Sequence, residues 1–226
     1  MLQQTQVPRV MEKYREFLRA FPTVRALAKA PLSDVLKVWS GMGYNRRGKF
    51  LRDAAVAIVE HHGGRVPKDA AILRTLPGIG PYTASAVRVF AFNQPDVLIE
   101  TNVRTAVIHA FLQGESLELV SDRDVAALAQ KVAEGQDPRT WQSALFDYGA
   151  YLKRSGIRLN ARSANYTKQS PFEGSLRQIR GAILRELHAN RPVERLPFTK
   201  KRLAAALASL SRDGLITKRR GKWSIV

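Results

Sequence analysis

The amino-acid sequence predicts an all-α protein that ends in a short β-hairpin. From residue 8 to about residue 151, apolar residues recur every three or four positions, which is typical of amphipathic helices. The apolar–polar alternation of a strand occurs only near the C-terminus. A chain of 226 residues can bury one large core, or it can form a larger domain with a small one.

The predicted helices follow one another with short breaks. Two apolar sets with helical spacing open the chain: Val10, Met11, Tyr14 and Leu18, then Val24 and Leu27. Ser33 is predicted to cap the helix that contains Leu36 and Trp39, and the segment GMGYN at residues 41–45 interrupts the pattern. Further helices are predicted over residues 46–60, 70–75, 82–92, 102–112, 122–134 and 138–152.

Composition excludes several kinds of site. The sequence contains no cysteine, so disulfides, thiolate zinc sites and an iron–sulfur cluster held by cysteines are excluded. Only four histidines are present, and the pair His61-His62 precedes two glycines, a position typical of a helix end. We therefore expect no protein-built metal site. No apolar run approaches the length needed to span a bilayer, and no secretory signal is recognisable.

Positive charge is concentrated at the C-terminal end. Residues 1–150 contain 19 Lys/Arg and 15 Asp/Glu, a net charge of +4, whereas residues 151–226 contain 18 and 4, a net charge of +14. The total of +18 favours a polyanionic partner. A basic tail that aids solubility, or a ribosome-associated protein, would have the same composition.

The C-terminal third has its own organisation. Residues 153–174 are polar and basic and are predicted to be a linker that lies along DNA. Two basic amphipathic helices follow over residues 175–188 and 199–212, and then a hairpin with the basic tip KRRG at residues 218–221. This order predicts a small winged-helix-like module, a type that commonly places its second helix in a DNA groove. Other small modules also end in a hairpin, and some winged helices bind proteins.

The segment LPGIGPYTA at residues 76–84 predicts a tight turn between two helices. Gly78 and Gly80 bracket the turn, and Pro81 suits the first turn of the second helix because proline has no N–H to satisfy there. An ordinary helix–helix turn would have these features. We favour a functional turn, because the same glycines let a DNA phosphate approach bare backbone amides.

Glu100 begins the second motif, ETNVR, eighteen residues after Tyr82. It follows the apolar run at residues 97–99 and precedes a predicted helix, so it suits an N-terminal cap. A carboxylate held there can also stabilise an oxocarbenium-like centre during glycosidic cleavage, with Asn102 close enough to orient it. The spacing to the glycine turn favours the catalytic role.

Residues 1–152 resemble the helix-hairpin-helix (HhH-GPD) DNA glycosylase superfamily and, within it, the MutY-type adenine glycosylases. Besides the two motifs above, the resemblance rests on MLQQTQV (1–7), FPTV (21–24), LKVWSGMGY (36–44) and FDYGA (146–150), which occur in the family's order. It implies a two-lobed all-α core over residues 1–152, a linker over 153–174 and the winged-helix-like module over 175–226.

The resemblance also implies which residues act. Tyr44 and Gln4 would wedge into the duplex while the target adenine is flipped out, and Thr5 and Met42 would lie near the opposing base. DNA contacts are implied for Gln3, Gln4, Thr5, Met42, Tyr44, Leu76, Gly78, Ile79, Gly80, Tyr82 and Thr83, with a monovalent cation on the hairpin carbonyls of Leu76 and Ile79. Glu100, Asn102 and Tyr82 would form the catalytic set. Tyr82 stands where bifunctional relatives carry a lysine, and a Schiff base needs an amine, so strand cleavage through lysine is not expected.

Four features depart from the family. Its general-acid glutamate precedes the methionine that matches Met1 by two positions, so we expect the reading frame to begin earlier, with part of the first helix missing and apolar surface uncovered. Glu100 replaces the family's catalytic aspartate. The cluster cysteines after Ala150 are absent, and the short basic module replaces the domain that checks for 8-oxoguanine.

The sequence therefore predicts a monofunctional glycosylase that removes adenine opposite guanine or 8-oxoguanine in base-excision repair. We expect no cofactor, a monomer bound to double-stranded DNA with a mismatch or lesion, no membrane partner, and a prokaryotic cytoplasmic, nucleoid-associated location. The alternatives are a thymine or uracil mismatch glycosylase, a non-catalytic DNA-binding or damage-sensing protein, and an RNA-binding protein. The last explains the charge but not the spacing of Tyr82 and Glu100.

Overall fold

The computed structural model describes residues 1–3, 5–112, 120–157, 159 and 171–226. These residues form mostly helices, which confirms the predicted all-α class. The α-helices are α1 (Val7–Ala20), α2 (Val24–Lys29), α3 (Leu32–Val38), α4 (Arg46–His61), α5 (Ala70–Thr75), α6 (Pro81–Ala86), α7 (Thr101–Phe111), α8 (Asp122–Val132), α9 (Pro138–Arg154), α10 (Leu176–His188) and α11 (Lys200–Arg212). A π-helical turn (Val87–Ala91) continues α6, and a 3-10 turn (Val193–Arg195) precedes α11. Across the described ranges, none of the helices combines the length and hydrophobicity that crossing a bilayer requires.

The chain divides into two compact units, as a two-lobed fold requires. Unit 1 comprises Met1–Val66, Leu76–Gly78 and Ser170–Val226, and unit 2 comprises Pro67–Thr75 and Ile79–Gln169. The C-terminal helices and hairpin thus cluster with α1–α4. The predicted domain boundaries after residues 152 and 174 stay a prediction.

Unit 1 contains two apolar clusters. One joins α1–α4 around Phe17, Val35 and Trp39. The other is the core of the C-terminal module, and it includes Leu32 and Leu36 of α3. Because α3 contributes to both clusters, the module is packed directly against the N-terminal helices of this unit.

Only one member of the apolar set identified in α1 is buried. Val10 and Phe17 are buried, whereas Met11, Tyr14 and Leu18 are exposed. The periodicity identified the helix correctly, but neighbouring helices decide which face is covered.

Ser33 is not the cap of its helix. Helix α3 begins at Leu32, and Pro31, whose extended backbone (φ −57°, ψ 143°) precedes the first turn, occupies the cap position without a side-chain hydrogen bond. The amides of Asp34 and Val35 donate to the Pro31 carbonyl, so Ser33 already lies within the helix.

Helices α7 and α9 pack unusually closely in the core of unit 2. A Cβ at Gly149 of α9 would lie 2.0 Å from the main-chain oxygen of Asn102, so any other residue would force the helices apart. Val103, Ala106, Val107, Val125 and Leu145 fill the surrounding core. The glycine of the FDYGA motif is therefore a packing requirement.

The predicted C-terminal hairpin is confirmed. Strands β1 (Ile216–Arg219) and β2 (Lys222–Ile225) pair antiparallel, with Ile216 opposite Ile225. Arg220 and Gly221 form the tip with φ of +49° and +81°, as a tight two-residue turn needs. Helix α9 runs to Arg154, so the predicted linker begins in a helix; residues 158 and 160–170 of that linker lie outside the described residues. That the module acts as a winged helix stays a prediction.

Candidate active site

The turn between α5 and α6 contains the two glycines of the first motif, and the structure assigns them different constraints. Gly78 has φ +76°, and a Cβ there would lie 2.6 Å from the Cβ of Phe50. Gly80 has an ordinary φ of −88°, and a Cβ there would meet nothing within 4 Å. Packing thus explains Gly78 but not Gly80.

Gly80 is the N-cap of α6 and offers no side chain to cap the first amides of that helix. Pro81 follows at the first helical position, as predicted. The exposed backbone at this helix start suits an anion, because the amides at a helix N-terminus point outward along the axis. Ile79 and Thr83 beside it are partly buried, and Leu76 is buried.

Tyr82 and Glu100 both lie in unit 2, and the negative charge of Glu100 acts on the phenol of Tyr82. Tyr82 lies in the first turn of α6 and is 38% exposed. Partial burial raises the pKa of its phenol, and the negative charge of Glu100 raises it further. Tyr82 therefore keeps its proton at neutral pH and can donate a hydrogen bond.

Glu100 caps helix α7 with its side chain. Its Oε1 accepts hydrogen bonds from the backbone amides of Asn102 at 2.7 Å and Val103 at 3.0 Å. The capping role and the catalytic role are compatible, because both bonds use the same oxygen. The carboxylate is thus positioned by main-chain atoms.

Burial raises the pKa of Glu100, although four influences oppose it. The two backbone hydrogen bonds lower the pKa, as do the positive charges of Arg104 and Lys153, but desolvation outweighs them. If Glu100 only capped the helix, its hydrogen bonds would lower its pKa. A partly desolvated carboxylate interacts more strongly with a nearby positive charge than one in water does.

The segment before Glu100 is fastened to both neighbouring elements. Asp96 pairs with Arg88 at 2.9 Å and accepts a hydrogen bond from Ser85 at 3.0 Å, which ties the segment to α6 and its π-helical continuation. From α9, buried Gln142 donates to the Leu98 carbonyl at 3.3 Å. These contacts hold the segment that leads into Glu100 against the helix that contains Tyr82, eighteen positions earlier in the chain.

Asn102 acts on Glu100 through its main chain. The expected orienting hydrogen bond comes from its backbone amide, and its carbonyl lies where Gly149 allows α9 to approach. Gly149 is a positioning residue that the sequence analysis treated only as part of a motif. The sequence feature that indicates this role is a glycine inside a predicted helix.

In unit 1, Tyr44 ends a loop of unusual backbone geometry. Gly41, Gly43 and Tyr44 have φ of +88°, +68° and +46°. The indole of Trp39 donates to the Gly43 carbonyl at 3.2 Å and holds the loop. The tyrosine is partly exposed on a left-handed backbone, a conformation that costs a non-glycine residue free energy.

Arg47, which the sequence analysis missed, joins this loop to the N-terminal segment. Its guanidinium donates to Thr5 Oγ1 and the Met42 carbonyl, both at 3.0 Å, and to the carbonyls of Met1 and Gln3. No pattern in the sequence distinguished it from the adjacent Arg46.

The remaining predicted DNA contacts have varied surroundings. Gln3 is exposed and Thr5 is partly buried, whereas the Met42 side chain is only 3% exposed and packs in the core of α1–α4. Gln4 lies outside the described residues. That these residues contact DNA stays a prediction.

The described residues contain no cluster of three or more histidine, aspartate or glutamate side chains that could hold a metal ion. Helix α4 ends at His61 with His62 as its C-cap, as the sequence predicts. A monovalent cation on the carbonyls of Leu76 and Ile79 stays a prediction.

A family model described as the HhH-GPD superfamily of base excision DNA repair proteins matches residues 1–202. The chain belongs to this superfamily. Within it, the adenine DNA glycosylase of Mycolicibacterium smegmatis is 34% identical over 238 residues, which cover 96% of this chain and 81% of that protein. The human adenine DNA glycosylase is 37% identical over 153 residues, or 66% of this chain and 28% of the human protein.

Two solved structures share the fold. A thermostable thymine-DNA glycosylase is 27% identical with a TM-score of 0.58, covering 66% of this chain and 69% of that one. A trapped covalent intermediate of endonuclease III with DNA is 20% identical with a TM-score of 0.58, covering 76% and 73%. At that identity the second likeness concerns the fold alone.

Proposed function

We propose that this HhH-GPD protein is an adenine-specific DNA N-glycosylase of base-excision repair, acting on adenine opposite guanine or 8-oxoguanine. The observation that carries the proposal is the pair of Glu100 and Tyr82 in a chain whose relatives along almost its whole length are adenine glycosylases. The substrate is double-stranded DNA that contains the mismatch. The site of action is the nucleoid of a prokaryotic cell, and the protein acts as a monomer.

Glu100 stabilises positive charge on the sugar as the bond to the base breaks. Its carboxylate is held by two amides, so little reorganisation is needed when charge develops, which is the condition under which electrostatic stabilisation is largest. The Glu100 side chain is one methylene longer than the family's aspartate.

Tyr82 makes the enzyme monofunctional. Cleavage of the strand through a Schiff base requires an amine, and the phenol of Tyr82 supplies none. Its hydroxyl stays protonated beside the charge of Glu100 and can donate a hydrogen bond to a bound base.

The glycine turn and the loop at Tyr44 contact the DNA. The uncapped start of α6 suits a backbone phosphate, and the protein's own packing supplies no reason for glycine at position 80. Tyr44 fills the space left when the adenine flips out, which offsets the few kcal/mol of lost stacking. Exposed cations at the hairpin tip, including Lys218, Arg219 and Arg220, add phosphate contacts and salt dependence.

A thymine mismatch glycosylase is the second candidate, favoured by the fold and 27% identity shared with the thermostable thymine-DNA glycosylase. A panel of duplexes with A:G, A:8-oxoG, T:G and U:G pairs separates the two. The protein is made from the complete reading frame that contains this chain, so that any general acid upstream of Met1 is included.

We expect adenine release from A:G or A:8-oxoG duplexes, with strand breaks only after alkali. Release of thymine or uracil with adenine untouched would favour the second candidate. Binding to all duplexes without release of any base would favour the non-catalytic DNA-binding protein.

A further inference from the structure

The ring of Tyr44 is contacted by two guanidinium groups of unit 1. The Arg47 guanidinium carbon lies 5.6 Å from the ring centroid, and that of Arg177 lies 5.5 Å from it. Arg177 also donates a hydrogen bond from Nη1 to the phenolic oxygen of Tyr44, at 2.8 Å. Cation–π contacts and a charge-assisted hydrogen bond thus act on one exposed side chain.

Arg177 comes from the C-terminal module, 133 residues along the chain from Tyr44. It occupies the first turn of α10, whose Ile179 and Ile183 pack in one cluster with Leu32 and Leu36 of α3. The start of α10 is therefore held against the helix that leads into the Tyr44 loop.

A second fastening joins the module to the helix after that loop. Asp213, at the end of α11, pairs with Arg46 of α4 at 3.4 Å and with Arg180 of α10. These two carboxylate contacts and the shared apolar cluster restrict movement of α10 relative to α4. Arg177 is thus presented to Tyr44 by a packed scaffold.

Tyr44 needs such support because its own backbone gives little. Its φ of +46° follows a glycine at +68°, and its side chain is partly exposed. A ring on such a loop would otherwise exchange among several rotamers. The two arginines reduce that freedom beforehand, which lowers the cost of ordering the ring when it inserts into the bound duplex.

We propose that Arg177 is a positioning residue for Tyr44, through which the C-terminal module takes part in base flipping. The inference rests on the proposed function, in which Tyr44 enters the base stack. Arg177 holds the phenol in the orientation for insertion, and the module acts as a support for the wedge as well as a basic surface.

The test uses a mismatched duplex with 2-aminopurine beside the target base, whose fluorescence rises when the stack opens. We compare wild type, Arg177→Ala, Arg177→Lys, Tyr44→Phe and the double variant Arg177→Ala/Tyr44→Phe, made in the complete reading frame. Arg185→Ala is the matched control, since Arg185 is an exposed arginine on the same helix and its loss removes the same charge. Fluorescence gain, single-turnover base release and melting temperature are measured for each variant.

We expect Arg177→Ala to lower the fluorescence gain and the release rate about 3- to 10-fold, with the affinity for DNA changed less than about twofold. Arg177→Lys recovers part of the loss, and the effect of Arg177→Ala shrinks in the Tyr44→Phe background because the hydrogen bond is already gone. Arg185→Ala behaves like wild type.

Equal fluorescence for Arg177→Ala and Arg185→Ala would overturn the inference, as would effects of Arg177→Ala and Tyr44→Phe that simply add. Fluorescence does not require base release, so the outcome is independent of the chemistry. Normal flipping without adenine release would overturn the proposed function and leave the role of Arg177 standing.

Discussion

Glu100 and Tyr44 are both central to the proposed reaction, but the fold holds them in different ways. Glu100 is held by main-chain amides at the start of a helix that is locked against α9 at Gly149. Tyr44 stands on a left-handed backbone and is held by the side chains of Arg47 and Arg177. A charge that must stabilise a developing cation benefits from fixed main-chain donors, whereas an exposed ring on a loop must be oriented by the side chains around it.

Neutralising Glu100 gives the largest expected effect on the rigid side of this comparison. We expect Glu100→Gln to lower single-turnover adenine release about 10²- to 10³-fold, the loss typical of removing one preorganised electrostatic group. The amide oxygen can accept the same two backbone bonds, so the fold is retained. Release kinetics and chemical denaturation measure both quantities.

The raised pKa of Glu100 determines whether its ionised carboxylate stabilises or destabilises the folded chain. Because burial raises this pKa in the folded chain, the ionised carboxylate costs stability above that pKa, and the cost disappears as the pH falls below the ordinary glutamate value. At neutral pH, the free energy of unfolding of Glu100→Gln should therefore equal or exceed that of the wild type. The rate of adenine release by the wild type should fall on acidification, with a midpoint above the ordinary pKa of glutamate. Glu134→Gln, an exposed position after α8, is the control. Full activity of Glu100→Gln would remove Glu100 from the mechanism.

Gly149→Ala tests whether the rigid frame depends on one close helix contact. The added methyl would lie 2.0 Å from the Asn102 oxygen, so α7 and α9 must separate. We expect a loss of about 1–3 kcal/mol of unfolding free energy, as for other overpacked cores, and slower base release. Thermal and chemical unfolding give the value, and unchanged stability would show that the helices separate freely.

Gly80→Ala is the counterpart at a glycine that the packing does not require. With nothing within 4 Å of the added methyl, we expect the unfolding free energy to change by less than about 1 kcal/mol, the usual scale for a cap substitution. The methyl would keep a phosphate from the amides, so DNA affinity should fall about tenfold, corresponding to one charge-assisted hydrogen bond. Titration of a labelled duplex measures the affinity. Unchanged binding would contradict a phosphate at this turn.

The smallest expected effect concerns Asp137, which starts α9. Hydrogen bonds from Asn93 and Thr140 lower the pKa of Asp137 to about 2. Because the folded-state pKa is depressed, the stabilisation is present above the ordinary aspartate value near 3.8 and is lost as the pH falls toward about 2. The difference in unfolding free energy between wild type and Asp137→Asn should shrink over that window in acid titrations.

Asn93→Gly provides a second variant for this window. It removes the side-chain donor to Asp137 at 2.6 Å while keeping a residue that tolerates the φ of +52° at this position. It also removes the acceptor of the Arg139 amide, so we expect the same change with pH added to a constant loss of stability. A difference from the wild type that stays constant as the pH falls from near 3.8 to about 2, in both variants, would show that the carboxylate charge is not responsible.

Much of the chemistry could be predicted because it depends on local spacing. The glycine turn, the cap at Glu100 and the hairpin tip each follow from residues adjacent in the chain, and the structure confirms the turn, the cap and the hairpin as structural elements. The charge of Glu100 acts on Tyr82, and the catalytic role of the two residues stays a prediction. Ser33 was wrongly predicted as a cap because Pro31 sets the backbone before the helix.

By itself, the sequence determined the helical class, the two motifs and the C-terminal hairpin, since periodicity, turn residues and caps act over a few positions. Only the tertiary structure decided which face of α1 is buried, why position 149 must be glycine, and that Arg177 meets Tyr44 across 133 residues. These outcomes depend on contacts between elements far apart in the chain. The spacing of residues in the sequence does not reveal such contacts, because they form only when the helices pack.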